Sequence, residues 1–313
     1  MATQAEIDFT YTLTDKLFRL SIGDLGDFSG AKYDGDFSLS LEQAQARKHA
    51  FVVEQLRVTA GSRVLDLGCG WGGMLAFLRG RGIRGVGVTL SAGQHRACRR
   101  HGLDAHLLDA RAVTPDTFGP FDGIVSLGAF EHFCSIEQYR AGGQERIYSE
   151  LFRSAAGLIP PGGRFFLQTM VFGRNMIPLG EIDVRAPRLS DAHVLGLLGK
   201  TFPGSCLPQS DLQVERCAEP HFRLVAKENG RTDYIETIRQ WRARFARVHP
   251  RKALLYASLI PRYLRSTDFR HAFVSGISAN TIAFERELLD HFRFVFERHP
   301  GEATAPADRS GPA

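Results

Sequence analysis

The sequence is short of several features that would have classified it at once. Its five cysteines, Cys69, Cys98, Cys134, Cys206 and Cys217, include no CxxC pair. An odd count without such a pair argues against a disulfide framework and against a zinc site, so no metal is expected and the thiols read as small core residues. No apolar run approaches the roughly 20 residues that cross a bilayer, and the opening "MATQAEIDF" lacks the basic start and apolar centre of a secretory signal. The expectation is a cytoplasmic protein. No internal repeat is visible, and only "GEATAPADRSGPA", from Gly301, loses all apolar period. Residues 299–313 are therefore read as a disordered tail.

What remains is ordinary for a globular chain. The 313 residues are 43% hydrophobic and 23% charged, enough to bury a sizeable core. A formal charge of +5 and a pI near 9.1 favour anionic partners such as phospholipid surfaces, acidic carriers or diphosphates, and no nucleic-acid partner is expected. Residues 1–38 are irregular but rich in aromatics, which suits a collar or lid packed on a core better than a loose tail. Ser40 followed by Gln43 offers a capping box for a helix running to about Leu56.

From Arg63 onward short apolar runs alternate with helical segments: "RVLDLG", "RGVGVTL", "DAHLLD", "FDGIVSL" and "GRFFLQTM", with "HFRLVAKE" and "HFRFVFER" to follow. This alternation predicts an α/β fold with a doubly wound, seven-stranded, mostly parallel sheet covered by helices on both faces. Residues 231–290 read as mostly helical, and Ile238, Trp241 and Phe245 share one face at helical spacing, a pattern typical of core.

"VLDLGCGWGG" places Gly68, Gly70, Gly72 and Gly73 after the first strand and before a helix, where backbone can approach a ligand. A dinucleotide site would call for an acidic residue at the end of the second strand, and that strand instead ends in "GVTLS", with Thr89 and Ser91. Asp66, inside the first strand, is placed to meet a positively charged ligand. S-adenosylmethionine, with its ammonium and sulfonium, fits this loop better than a pyrophosphate. Further on, "IVSLGAFEHF" carries Glu131 and His132 to the end of a buried strand, where open α/β sheets bind ligands. A carboxylate there is either satisfied by a nearby backbone amide or works on a substrate.

Taken in order, "VLDLGCGWGG", "GVTLSAGQ" and "IVSLGAFEHF" resemble the class I methyltransferases of the cyclopropane-fatty-acid and mycolic-acid cyclopropane synthase family, from about Phe18 to Arg298. The resemblance implies a Rossmann-like methyltransferase domain at 39–298, an N-terminal collar at 1–38, a lid inserted at about 171–215 and a helical insertion at about 231–290. It implies cofactor contacts at Phe28, Ser29, Asp66, Gly68, Gly70, Gly72, Thr89, Leu90 and Gln94, with Asp109 facing the adenine beside Ala110, where the family usually has an aromatic. Ser91 and Gln94 also read as a capping box, and one glutamine side chain cannot easily serve both purposes.

The family's reaction, as the resemblance implies it, begins with an alkene attacking the sulfonium methyl and leaving a carbocation. A bicarbonate near that cation would be held at positions matching Glu131, Gln168, Tyr234, Gly30 and Leu127, of which only Glu131 and Tyr234 keep the family's side chain. Gln168 stands where the family has histidine, Gly30 where it has cysteine, and Asn280 where it often has a late cysteine. Tyr234 either donates to bicarbonate or caps the cavity wall, and His132 reads as a packing or hydrogen-bonding neighbour. The expected acceptor is an alkene of a hydrophobic chain, a membrane phospholipid or a carrier-bound lipid, met through peripheral membrane contact. The product is a cyclopropane, a methyl branch or a methylene. Two alternatives stay open: a small-molecule N- or C-methyltransferase that needs no bicarbonate, and a non-catalytic protein that binds S-adenosylmethionine. A long apolar cavity would favour the lipid and a short polar one the small molecule.

Overall fold

The computed structural model describes residues 19–23, 25–202, 204–247, 250–265 and 276–300. The start of the expected collar and the expected tail from Gly301 lie outside the described residues. All seven apolar runs form strands: β1 (Arg63–Leu67), β2 (Arg84–Thr89), β3 (Asp104–Leu107), β4 (Gly123–Leu127), β5 (Arg164–Phe172), β6 (Phe222–Asn229) and β7 (Leu289–Arg298). They make one sheet in the order β3-β2-β1-β4-β5-β7-β6. Pairing is parallel from β3 through β5, and β7 runs antiparallel to both of its neighbours. The chain order reverses between β1 and β4, the position at which such sheets open a ligand crevice at their carboxyl ends.

The main helices are α1 (Leu41–Leu56), α2 (Gly73–Arg79), α3 (Ala92–Arg100), α4 (Gln144–Leu158), α5 (Asp191–Thr201), α6 (Asp211–Ala218), α7 (Arg231–Ala246), α8 (Pro250–Arg265) and α9 (Gly276–Glu285). The capping box at the start of α1 forms in full between Ser40 and Gln43. Central strands carry almost unbroken apolar runs because both faces are covered: Val64, Leu65, Ile124, Val125, Phe165 and Phe166 have no exposed surface. One core cluster lies under α4, where Phe130, Phe152, Phe165, Phe222 and Phe296 meet.

A second cluster joins the collar to α7, α9 and the segment after β5. Ala31 and Tyr33 of the collar are fully buried, and Trp241 of α7 stacks on Phe28 with ring centroids 4.6 Å apart. The Ile238, Trp241 and Phe245 face is thus used for packing. The segment between β5 and α6 contains a short 3-10 turn at Leu179–Glu181 and α5. Among the described residues no helix is long and apolar enough to cross a membrane.

Candidate active site

Two cavities meet at the carboxyl ends of β1, β4 and β5. The smaller, about 120 Å3, is lined by Asp27, Phe28, Asp66, Gly68, Gly70, Thr89, Leu90, Gln94, Ala110 and Leu127. The larger, about 340 Å3, takes in Ser29, Gly30, Glu131, Gln168, Tyr234, Asn280 and His291. Phe28, Gly128 and His132 belong to the walls of both.

The first cavity exists because the loop after β1 has no side chains in the way. Gly68, at φ +88°, has no room for a side chain, since a Cβ there would lie 2.2 Å from that of Ala129. A Cβ on Gly70 would meet nothing within 4 Å, so this residue leaves open space. Gly72 does not line the cavity; it begins α2 in the left-handed region and packs against Leu103 and Cys98.

At the end of β2, Ser91 accepts from the Gln94 amide and starts α3, but the reciprocal half of the capping box is not made. The Gln94 side chain turns instead to Thr89, whose hydroxyl donates to Gln94 Oε1 at 2.9 Å on the cavity wall. This resolves the conflict between the two readings of Gln94: the backbone serves the cap and the side chain serves the cavity. Asp109 is committed elsewhere, accepting from the Arg111 amide and pairing with its guanidinium at 2.6 Å, while its neighbours Leu108 and Ala110 line the cavity.

Charge in this cavity comes from two aspartates. Asp66 is buried, and burial together with the nearby Asp27 charge, only partly offset by Lys48, raises its carboxyl to about 8. Burial would also raise Asp27, but Lys48 and His49, each 2.6 Å from its Oδ2, outweigh that and hold it well below the usual carboxylate range. Lys48 further donates to Ser29 Oγ at 2.7 Å. This cluster pins the collar to α1 beside the cavity, and among the described residues no cation makes an ion pair with Asp66.

In the second cavity, the turn after β4 brings Glu131 inward. Its Oε1 accepts from the Met170 amide at 2.8 Å, while Oε2 is buried and makes no hydrogen bond of good geometry among the described residues. Burial, opposed by the Met170 hydrogen bond, raises this carboxyl to about 7. The two readings of Glu131 therefore divide between its oxygens. His132 turns away to Ser205, with Nδ1 2.7 Å from the hydroxyl, and burial lowers its imidazole to about 4. It is a hydrogen-bonding neighbour, as its sequence context suggested.

Gln168 lines the cavity but its amide is spoken for. Nε2 donates to the Gly30 carbonyl at 3.1 Å, and Oε1 accepts from Arg293 Nε at 3.2 Å. Arg293, buried on β7, also pairs with Glu228 and Asp233 and donates to the Ala31 carbonyl. The Asp34, Glu228 and Asp233 carboxylates, close enough together to suggest a metal site, are answered by Lys32 and Arg293. Leu127 pairs with Gln168 in the strand register and lines the first cavity instead of the second. Tyr234 stacks on the ring of His291, centroids 4.8 Å apart.

Sequence reasoning had missed Asp27, Lys48, His291 and Arg293. For the last two a signal existed: "LDHFRFVFER" puts a histidine and an arginine two residues apart, on one face of a strand that is otherwise apolar.

Most of the remaining wall of the larger cavity is apolar, built from Met170, Phe172, Met176, Leu179, Ile182, Leu195, Leu198, Phe202, Leu207 and Leu289, with Arg140 and Ser205 as polar members. Most of these come from the segment between β5 and α6.

Compared with known families, residues 2–272 match the model of mycolic acid cyclopropane synthetase. The chain belongs to this family. It is 30% identical over 295 residues to the cyclopropane-fatty-acyl-phospholipid synthase of Escherichia coli K12, covering 92% of this chain and 66% of that one. It thus spans just under two thirds of the length of that relative. The hydroxymycolate synthase MmaA4 of Mycobacterium tuberculosis is 29% identical over 244 residues, 75% of this chain and 76% of its own. Among solved structures, the cyclopropane synthase MmaA2 from Mycobacterium tuberculosis superposes with a TM-score of 0.73 at 22% identity, covering 95% of this chain and 98% of that one. The cyclopropane synthase CmaA1, complexed with SAH and CTAB, gives a TM-score of 0.73 at 24% identity over the same shares. These two establish the seven-stranded fold as the one the family uses.

Proposed function

We propose that the protein is an S-adenosylmethionine-dependent C-methyltransferase acting on an alkene within a lipid chain. The observation that carries this reading is a pair of adjoining cavities that share Phe28, Gly128 and His132: a small one with glycine walls and a buried Asp66, and a large one whose wall is mostly apolar. S-adenosylmethionine, when bound, supplies a methyl group on sulfonium that the alkene takes with its π electrons as the carbon–sulfur bond breaks. Asp66 is suited to the ammonium of that group, and Gly68 and Gly70 to its close approach. Phe28, Gly128 and His132 frame the passage through which the methyl group would meet the alkene.

The cation left on the chain needs a negative charge and no water. The Glu131 carboxylate, buried and oriented by the Met170 amide on Oε1, has its Oε2 without a hydrogen bond among the described residues and meets that need. The apolar segment between β5 and α6 closes over the chain and excludes water, the role we assign to the expected lid. Bicarbonate fits the polar end in part: Glu131 and Tyr234 remain, while Gln168 has committed its amide to Gly30 and Arg293. Bound there, it would supply a proton acceptor for the cation.

A lipid acceptor implies contact with its surface. Helix α8 exposes Leu254, Ile260 and Leu264 together with Arg251 and Arg265, an apolar and basic face suited to an anionic lipid interface. The competing small-molecule reading is disfavoured by the ten apolar side chains on the wall of the larger cavity. Incubation with methyl-labelled S-adenosylmethionine, a lipid extract and a pool of small amines should place label in acyl chains. Label confined to water-soluble amines would sink the proposal.

A further inference from the structure

Helix α9 carries one polar residue into an otherwise apolar setting. Its Ala279, Ala283 and Phe284 are buried in the cluster that joins the helix to α7 and the collar. Asn280 stands among them, only 8% exposed, and lines the larger cavity. Phe284, one turn further and so on the same side of the helix, sets its ring edge against Tyr234 of the same wall, with centroids 4.9 Å apart. Helix α9 also packs on α5, which gives Leu195 and Leu198 to that wall.

Neutral polar side chains elsewhere on this wall are committed within the protein. Ser29 meets Asp27 and Lys48, Ser205 meets His132, and Gln168 divides between the Gly30 carbonyl and Arg293. His291 is hydrogen-bonded to the Gly230 backbone. The Asn280 carboxamide makes no hydrogen bond to another described residue. An amide buried without a partner is costly, and asparagine is a poorer helix former than alanine or leucine. Neither packing nor helix formation accounts for it, whereas a ligand in the cavity does.

The side chain also specifies the chemistry of that ligand. It is uncharged, with two N–H donors and one carbonyl acceptor. An alcohol oxygen can accept from Nδ2 while its own hydrogen goes to Oδ1, and a ketone or ester oxygen can use the donor alone. A bare hydrocarbon chain leaves both groups of the amide unpaired.

We propose that Asn280 selects an acceptor whose chain carries a hydroxyl or carbonyl oxygen, held against its carboxamide inside the larger cavity. This rests on the proposed lipid acceptor for its use, though the selectivity is a matter of binding and does not require turnover.

The test is a binding cycle on the full-length protein. Oleate and a set of oleates carrying one hydroxyl at successive positions, ricinoleate among them, are titrated in by calorimetry. A hydroxyl entering an apolar cavity weakens binding through its own desolvation. At the position that reaches Asn280 the wild type should instead bind the hydroxylated chain about tenfold tighter than Asn280→Leu does. Oleate itself should bind Asn280→Leu at least as well as wild type, and Asn280→Ser, which keeps a shorter hydrogen-bonding group, should keep part of the preference. Because the amide has no partner in the protein, Asn280→Leu should melt at or above the wild-type temperature. A variant that melts well below it, or does not fold, would show that the amide is structural and overturn the inference. So would a hydroxyl penalty that is the same at every position in both proteins. Selectivity for one hydroxyl position in a wild type that methylates no lipid would count against the proposed function and leave Asn280 as assigned, whereas equal methylation of plain and hydroxylated chains would do the reverse.

Discussion

On the proposed role of Asp66, binding of an S-adenosylmethionine-like cation should depend on pH in a calculable way. Its carboxyl, raised to about 8 by burial and by Asp27, is mostly protonated in the unliganded protein at neutrality. A ligand ammonium pairs with the ionised form, so binding must expel that proton. Below the raised value each pH unit costs about tenfold in apparent affinity, which amounts to roughly 80-fold between about pH 7.5 and 5.5 if the liganded carboxylate stays ionised throughout. At about pH 7 some 0.9 proton should be released per ligand bound. Calorimetry of S-adenosylmethionine binding in buffers of different ionisation enthalpy measures both quantities. Asp66→Asn should abolish the proton release and weaken binding by one to two powers of ten, roughly the worth of one charge-assisted hydrogen bond. An affinity that is flat across this range, with no proton release, would show that Asp66 does not meet the cation.

The same raised carboxyls bear on stability. Asp66 and Glu131, at about 8 and about 7 when folded, contribute stability that is present below the ordinary carboxylate range and lost as pH rises through those values. Below the ordinary imidazole range the depressed His49, His132 and His291 act in the opposite sense, so the unliganded melting temperature should fall between about pH 6.5 and 8, as a thermal scan would show. A melting temperature that climbs over that interval would contradict the assignment. Glu131→Gln should reduce turnover by about a thousandfold while calorimetry finds cofactor affinity nearly unchanged; equal loss of both would make Glu131 structural. Gly68→Ala combines a strained φ with a clash against Ala129 and should cost about 1–3 kcal/mol in chemical denaturation, along with cofactor binding. Arg293→Met removes the cation from Asp233 and Glu228 and should cost about 3–5 kcal/mol by the same measurement; a loss under 1 kcal/mol would mean that water replaces it.

Local pattern carried the fold a long way. Each of the seven strands was visible as an apolar run, and the glycine loop, Glu131 and the capping box at Ser40 were legible because their physics is confined to a few neighbouring residues. What escaped was built across the chain. Arg293 reaches the Ala31 carbonyl 262 residues away, and Asp27 meets Lys48 only because the collar folds back onto α1. Gln168 looked like a weakened histidine when read by position alone. In the structure it is an amide shared by the Gly30 carbonyl and Arg293, with an imidazole supplied from the adjacent strand. Asp109 differs in that its partner Arg111 stands two residues on in the sequence, so this pairing was open to local reading.

The most direct test of the account is the mass and olefin content of a single monounsaturated phospholipid after incubation with the protein and S-adenosylmethionine. The account predicts that the acyl chain gains the mass of one CH2 at its double bond, and that Glu131→Gln prevents this. An unchanged acyl chain, with methyl found only on a head-group nitrogen or on no lipid at all, would contradict it.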